Sequence, residues 1–300
     1  MADRTLLQTD MPDLKLVARG KVRDLYEVEG NLLLVATDRL SAFDVIMKQG
    51  IPGKGRMLTE LSLFWFDFLR DTVGNHLITA DVDGMPAALH KYRDQLEGRS
   101  MYVRRAQIFP VECVVRGYLV GSGWKDYLKS GMVCGHKLPP GLKQAQKLES
   151  VLFTPSTKAP QGAHDENISF EQMAASVGRN TAEKLRELTV RIYKKCADYA
   201  AGRGIIIADT KFEFGLHEGG IILCDEVLTP DSSRFWDAGK YRVGASPESF
   251  DKQIVRDWLE KQPWKKRPPP PDLPPEIIEK TAAKYREVVD LLRGRQTAKA

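Results

Sequence analysis

Close-set cysteine or histidine ligand pairs are missing from this sequence. Its four cysteines, Cys113, Cys134, Cys196 and Cys224, are far apart and form no C-x-x-C pair, so neither a zinc knuckle nor a disulfide framework is implied. The histidines, His76, His90, His136, His164 and His217, make no H-E-x-x-H, the paired ligands of a zinc hydrolase. Neither G-x-x-x-x-G-K-[ST] nor G-x-G-x-x-G occurs. The stretch IPGKGRM only superficially evokes a phosphate loop, and the usual mononucleotide and dinucleotide loops are excluded. No run approaches about 18 apolar residues, and MADRTLLQTDMPDL at the start has no apolar core of signal-peptide length. No membrane association is expected, and the expected location is cytoplasmic. There is no internal repeat.

What is present is an ordinary globular composition: 300 residues, 42% hydrophobic and 28% charged, enough for one large domain or two smaller ones. The formal charge of +5 suits anionic small molecules as well as nucleic acid. The basic stretch Lys265-Lys266-Arg267 is not interleaved with a stacking aromatic series. A nucleic-acid module is therefore not expected, and a steep salt-dependent affinity for oligonucleotides would be its mark.

The chain is organised around residues 204–237, GIIIADTKFEFGLHEGGIILCDEVLTPDSSRFWD. Two short β-branched runs, 205–208 and 221–224, read as buried strands. Between them, Leu216-His217-Glu218-Gly219-Gly220 carries the glycine pair of a tight reversal. Folding about that turn is expected to bring Asp209 opposite Asp225 or Glu226, within about one residue of register. Alternation puts Asp209, Lys211 and Glu213 on one face. Facing acids in a buried ladder need positive charge between them. Lys211 supplies part of it, and a hard divalent cation with oxygen ligands supplies it better, since Mg²⁺ usually takes one or two carboxylates plus substrate phosphates.

Elsewhere, Gly20-Lys21-Val22-Arg23-Asp24 sets a glycine and two cations at a turn, where backbone N–H groups can approach a phosphate. Asp38, Arg39, Ser41 and Asp44 follow a strand, a favoured place for a site. Residues 57–71 have helical apolar spacing. Glu112 and Arg116 bracket apolar residues of a strand, and RGYLVGSGWKDY gathers Arg116, Ser122 and Lys125 around three glycines. Arginine offers a planar fork and serine a second donor to phosphate oxygens. The polar string 154–169 is too long for a mere connector and holds Lys158, His164, Asp165 and Glu166. Asn180 with Glu183 reads as a capping box opening a helix, Ser246-Pro247 as another helix start, and 263–275 as a stiff proline-rich strap before a last helix. Acids holding Mg²⁺, a basic glycine turn over phosphates and a separate Arg/Ser cluster for a second anion are the equipment of phosphoryl transfer from a nucleoside triphosphate.

Taken in order, GKVRDLYEV, ATDRLSAFDVIM, VECVVRGYLVGSGWKDY, STKAPQGAHDENIS, ADTKFEFG and CDEVLTPDSSRFWD resemble the SAICAR synthetase family of purine biosynthesis, in its longer single-function form. The resemblance implies ATP, L-aspartate and CAIR (a ribonucleotide bearing an imidazole carboxylate) as substrates of a ligase giving SAICAR, ADP and phosphate through an acyl phosphate. It implies an α+β fold: a small antiparallel β-rich domain (1–110) and a larger α/β domain (111–300, including the strap and last helix), with ATP in the cleft between them. Carried over by motif, Gly20, Lys21, Arg23, Glu112, Lys158 and Glu213 are expected at ATP. Ser41, Asp44, Arg116, Ser122 and Arg234 are expected at CAIR or aspartate, and Asp209, Glu213 and Asp225 at Mg²⁺. Lys211, Asp165 and Asp209 are the expected catalytic groups. The expected assembly is a monomer or small homo-oligomer. No general base is evident, since Asp165 or Asp44 at an ordinary carboxylate pKa would be a weak one. A kinase, or another ATP-dependent ligase with a different acceptor, is the competing reading.

Overall fold

The computed structural model describes residues 5–158, 165–250 and 252–295. The described residues form two compact units, one within Met1–Phe68, Asn75–Ala106 and Phe250–Ala300, the other within Leu69–Gly74 and Gln107–Ser249. His164 lies outside the described residues.

In the first unit β1 (Lys15–Arg19), β2 (Arg23–Val28) and β3 (Asn31–Ala36) run as an antiparallel meander. A separate hairpin, β4 (Arg39–Ala42) and β5 (Val45–Gly50), precedes α1 (Lys54–Phe68). Then β6 (Leu77–Thr79), the short α2 (Arg93–Leu96) and β7 (Ser100–Val103) complete a five-stranded sheet in the order β1-β2-β3-β7-β6. The α1 helix buries Leu58, Leu61 and Trp65, as its spacing predicts. β2 alternates strictly, with Asp24, Tyr26 and Val28 inward; Tyr26 and Val28 pack with Leu33, Val35 and Leu89.

An acid inside such a face needs partners, and Asp24 has them. Its Oδ2 accepts from Thr9 N, Thr9 Oγ1 and Arg19, and its Oδ1 from Arg39 at 2.7 Å. Arg39 also donates to the carbonyl of Gly20 at 2.9 Å. Asp38, expected among groups at a site, is instead structural: fully buried, it accepts from the backbone of Leu6 and Gly55 and pairs with Arg99.

The second unit opens with β8 (Gln107–Ile108) and β9 (Val111–Tyr118), followed by α3 (Gly121–Ser130) and a small ribbon, β10 (Met132–Val133) with β11 (His136–Lys137). After β12 (Lys147–Phe153) and β13 (Ser156–Thr157) come α4 (Phe170–Val177), α5 (Arg179–Ala201), β14 (Ile205–His217), β15 (Gly220–Cys224) and β16 (Ser233–Asp237). The sheet runs β12-β9-β14-β15, with β13 on β9 and with β8 and β16 on β14. The 13-residue β14 is thus the shared strand. The capping box is Ser169 with Gln172, at the start of α4. Asn180 lies within α5, because Gly178, at φ 84°, already separates the two helices.

The chain then returns to the first unit as α6 (Gln253–Glu260) and α7 (Pro275–Arg293). Residues 246–249 do not begin a helix: Ser249 bridges Trp236, and its hydroxyl donates to Phe235 O. Val255, Leu259 and Leu273 pack with Leu40, Val45, Met47 and Ile51 of the β4–β5 region. The compact units therefore divide differently from the expected 1–110 and 111–300, since the strap and last helix bury their apolar faces against the early hairpin. No helix among the described residues is long and apolar enough to cross a membrane.

Burial pushes the Cys113 and Cys224 thiols up to about 12 and Cys134 up to about 11. At pH 8 the thiolate fraction at Cys134 is then roughly a thousandth. Iodoacetamide is expected to modify the native protein far more slowly than the urea-unfolded chain, with a rate rising about tenfold per pH unit. Native labelling as fast as that of the unfolded chain would contradict this.

Candidate active site

β14 carries the centre of the site, and its neighbours supply the partners. Its hairpin with β15 forms as expected, turning at Glu218-Gly219 with both φ positive (49° and 77°). The expected register does not hold. The ladder pairs Glu213 with Cys224 and ends there, four residues short of Asp209. Asp209 lies instead opposite Arg116 of β9 and Arg234 of β16.

Asp209, Lys211 and Glu213 do share a face, and each meets a cation or acid from another element. The buried Asp209 Oδ2 accepts from Arg116 Nη1 at 2.7 Å and from Arg234 Nη1 at 2.6 Å. Lys211 Nζ lies 2.5 Å from Glu112 Oε1, and Glu213 pairs with Lys158. The row therefore alternates in sign along the sheet, and each of its charges is compensated locally, the buried Asp209 most completely.

Around Arg116 the chain is shaped to fit. Its Nε donates to Thr154 Oγ1 at 3.1 Å and its Nη2 to Ser122 Oγ at 2.8 Å. A methyl group at Gly121 would lie 2.6 Å from Arg234 Nη2, and one at Gly123 would lie 3.1 Å from Arg116 Nε. A side chain at either glycine would crowd a guanidinium group, and Gly121 also sits at φ 62°, where L side chains are strained. The α3 helix begins at Gly121 with no side-chain cap on its first N–H groups. Two guanidinium groups converge on one carboxylate beside a serine hydroxyl and a helix start, a combination suited to a phosphate group. Burial pulls the Arg116 guanidinium down from its ordinary value, while Asp209 pulls it back up.

At the next position of the face, burial pushes the Glu112 carboxyl above its usual range against the opposing pull of Lys211, and Asp165 and Glu213 add to the rise. Burial works against the Lys211 ammonium, but Glu112, with Glu213 and Glu226, raises it above its ordinary value. Lys211 is therefore charged throughout the neutral range. Glu112 Oε2 also accepts from Ser156 Oγ at 3.5 Å, and Glu226 from Thr229 Oγ1 at 2.8 Å.

The three-carboxylate metal set is not what the structure assembles. Among the described residues no group of three or more His, Cys, Asp or Glu side chains is placed to hold a metal ion. Asp209 is paired with two arginines, Arg116 and Arg234. Glu213 and Asp225 remain: Glu213 faces Cys224 across the ladder, Asp225 follows it, and both carboxylates raise the Cys224 thiol after burial does. Two carboxylates fit a magnesium ion that completes its shell with phosphate oxygens and water.

The other expected residues lie in the first unit. Gly20 and Lys21 form the β1–β2 turn, closed by Gly20 N donating to Arg23 O at 2.7 Å. Ser41 is buried on β4. Asp44 shares with Phe43 the two-residue turn of the β4–β5 hairpin, both at positive φ (62° and 53°), and pairs with Lys21. Missed from sequence were Arg39 as the anchor of Gly20, Thr154 and Ser156. A signal for the first was legible in Asp24, an acid at an inward position of a strictly alternating strand.

A sheet face that alternates cations and carboxylates and ends at an Arg/Arg/Ser cluster suits an enzyme acting on anionic, phosphate-bearing substrates. Comparison with known proteins narrows that class to one family of ligases. The SAICAR synthetase family pattern matches residues 16–271. The phosphoribosylaminoimidazole-succinocarboxamide synthase of Syntrophobacter fumaroxidans is 58% identical over 289 residues, covering 96% of each chain. That of Geotalea uraniireducens is 56% identical over 292 residues, 97% of this chain and 99% of the relative. The Saccharomyces cerevisiae SAICAR synthase structure, complexed with SAICAR, superposes with a TM-score of 0.90 at 49% identity, covering 98% of this chain and 100% of that one. The chain belongs to the SAICAR synthetase family, and its α+β fold is that family's fold.

Proposed function

We infer that this chain joins CAIR to L-aspartate at the expense of ATP, giving SAICAR, ADP and phosphate. The observation that carries the reading is the Arg116–Asp209–Arg234 cluster with Ser122, set on the same strand as the Lys211–Glu112 and Glu213–Lys158 pairs. The first cluster suits the 5′-phosphate of CAIR. Lys211 and Lys158 suit the transferring phosphoryl group and the nucleotide phosphates, with Glu112 paired to Lys211. Glu213 and Asp225 would hold Mg²⁺ beside the triphosphate, where it neutralises charge on the phosphate oxygens.

In the first unit, Lys21 and Arg23 are assigned to the ATP phosphates, and Ser41 and Asp44 to CAIR or aspartate. The imidazole carboxylate takes the γ-phosphoryl group as its bond to ADP breaks. The neutral aspartate amine then attacks the acyl carbon, phosphate departs with the C–O bonding pair, and the amide nitrogen loses a proton. Asp165, near enough to Glu112 to raise its pKa, is the group assigned to the amine.

Phosphate release by the purified chain is expected to require CAIR and aspartate together with ATP, with SAICAR appearing in equal amount. Turnover with either acceptor omitted would replace this reading with that of a kinase or of a different ligase. Arg234→Ala removes one arm of the phosphate cluster at a partly exposed residue. Its KM for CAIR is expected to rise at least tenfold and its KM for ATP less than threefold. Equal rises in both would separate Arg234 from CAIR.

A further inference from the structure

The proline-rich strap is a long segment that the chemistry leaves without a role, yet its contacts converge on one turn of the first unit. Trp264 stands edge-on to Phe43, with ring centroids 6.4 Å apart. Lys266 Nζ lies 4.0 Å from the centroid of the same ring, a cation–π contact. The indole N–H of Trp264 donates to Arg267 O at 2.7 Å and Pro269 O at 3.1 Å, which fixes the ring within the strap. Further along, Gln49 of β5 donates to Asp272 at 2.9 Å and accepts from Leu273 N at 3.1 Å. The strap thus grips the hairpin at its tip and at its base.

Phe43 is the first residue of the two-residue β4–β5 turn, and Asp44 is the second. One planar peptide unit joins the two, so a shift of the Phe43 backbone is passed on to Asp44. We propose that Trp264 and Lys266 are positioning residues, holding Phe43 so that Asp44 stands at the substrate and remains paired with Lys21. The inference rests on the assignment of Ser41 and Asp44 to CAIR or aspartate. It gives the strap a part in substrate binding.

The test uses the full chain with Trp264→Ala, Trp264→Phe and Lys266→Met. In Trp264→Ala the KM for CAIR or for aspartate is expected to rise about tenfold, with kcat within threefold of wild type. Trp264→Phe keeps an aromatic edge against Phe43 and is expected to restore KM to within about twofold to threefold. Lys266→Met keeps the stem, loses the cation, and is expected to raise the same KM about threefold. Hydrogen exchange across 41–46 reads the turn directly, without substrate, and is expected to quicken about tenfold in Trp264→Ala and about threefold in Lys266→Met.

Unchanged exchange in both variants overturns the proposal, as does an equal loss toward all three substrates that merely tracks the folded fraction. If Trp264→Ala does not fold, Lys266→Met and Trp264→Phe decide by the same exchange measurement. If wild-type enzyme makes no SAICAR, the assigned activity fails, while exchange still decides whether the strap holds the turn.

Discussion

Lys211→Met is expected to lower kcat by about 10²–10³-fold, the scale of losing one preorganised charge aimed at a developing anion. KM values should change little, because the ammonium is assigned to charge that appears during transfer. The fold is expected to survive. Burial already pushes Glu112 upward, and removing its cation raises it further, so the carboxyl takes up a proton rather than remaining a buried unpaired anion.

The sign of the accompanying pH effect follows from that. A carboxyl whose folded pKa exceeds its unfolded value contributes stability below the unfolded value and loses it as pH rises through the folded one. Lys211→Met should therefore lie closest to wild type in stability near pH 5 and furthest from it near pH 8. Denaturant titrations at the two pH values, with kcat from single-time-course assays, check both parts. A variant turning over within tenfold of wild type would remove Lys211 from the chemistry.

Asp209→Ala is expected to destabilise the protein by about 3–5 kcal/mol, the usual cost of stripping one partner from a buried ion pair. Arg116 is 3% exposed and would keep Thr154 and Ser122 but lose its charge partner, with Arg234 still beside it. Such a loss is a large share of the roughly 5–15 kcal/mol that holds a domain together. The double variant Asp209→Leu with Arg116→Met removes both charges and should recover much of the stability, because an apolar pair carries no desolvation cost. Its KM for CAIR should nonetheless rise at least 100-fold, which separates folding from phosphate recognition. Urea midpoints for the single and double variants, with CAIR titrations on the double, test this. An Asp209→Ala variant within about 1 kcal/mol of wild type would show that the two arginines do not depend on it.

The β14–β15 hairpin was legible in the chain itself, while the α+β architecture was an expectation carried by the family resemblance. Short β-branched runs, a glycine pair and strict alternation are local signals, and they placed Asp209, Lys211 and Glu213 on one face without knowledge of any neighbour. Ordered motifs such as VECVVRGYLVGSGWKDY and CDEVLTPDSSRFWD carried the family. Alternation says which way a side chain points and not which strand lies beside it. Asp209 therefore read as facing Asp225 or Glu226, while the side chains it pairs with, Arg116 and Arg234, lie 93 and 25 residues away in sequence. The same limit hid the return of α6, the strap and α7 to the first unit, where Leu273 and Trp264 find the β4–β5 hairpin more than 200 positions earlier. Local propensity determined the elements and their faces. The choice of partner for each buried charge belonged to long-range strand pairing and core burial, because only the assembled sheet sets how many guanidinium groups a single carboxylate must satisfy.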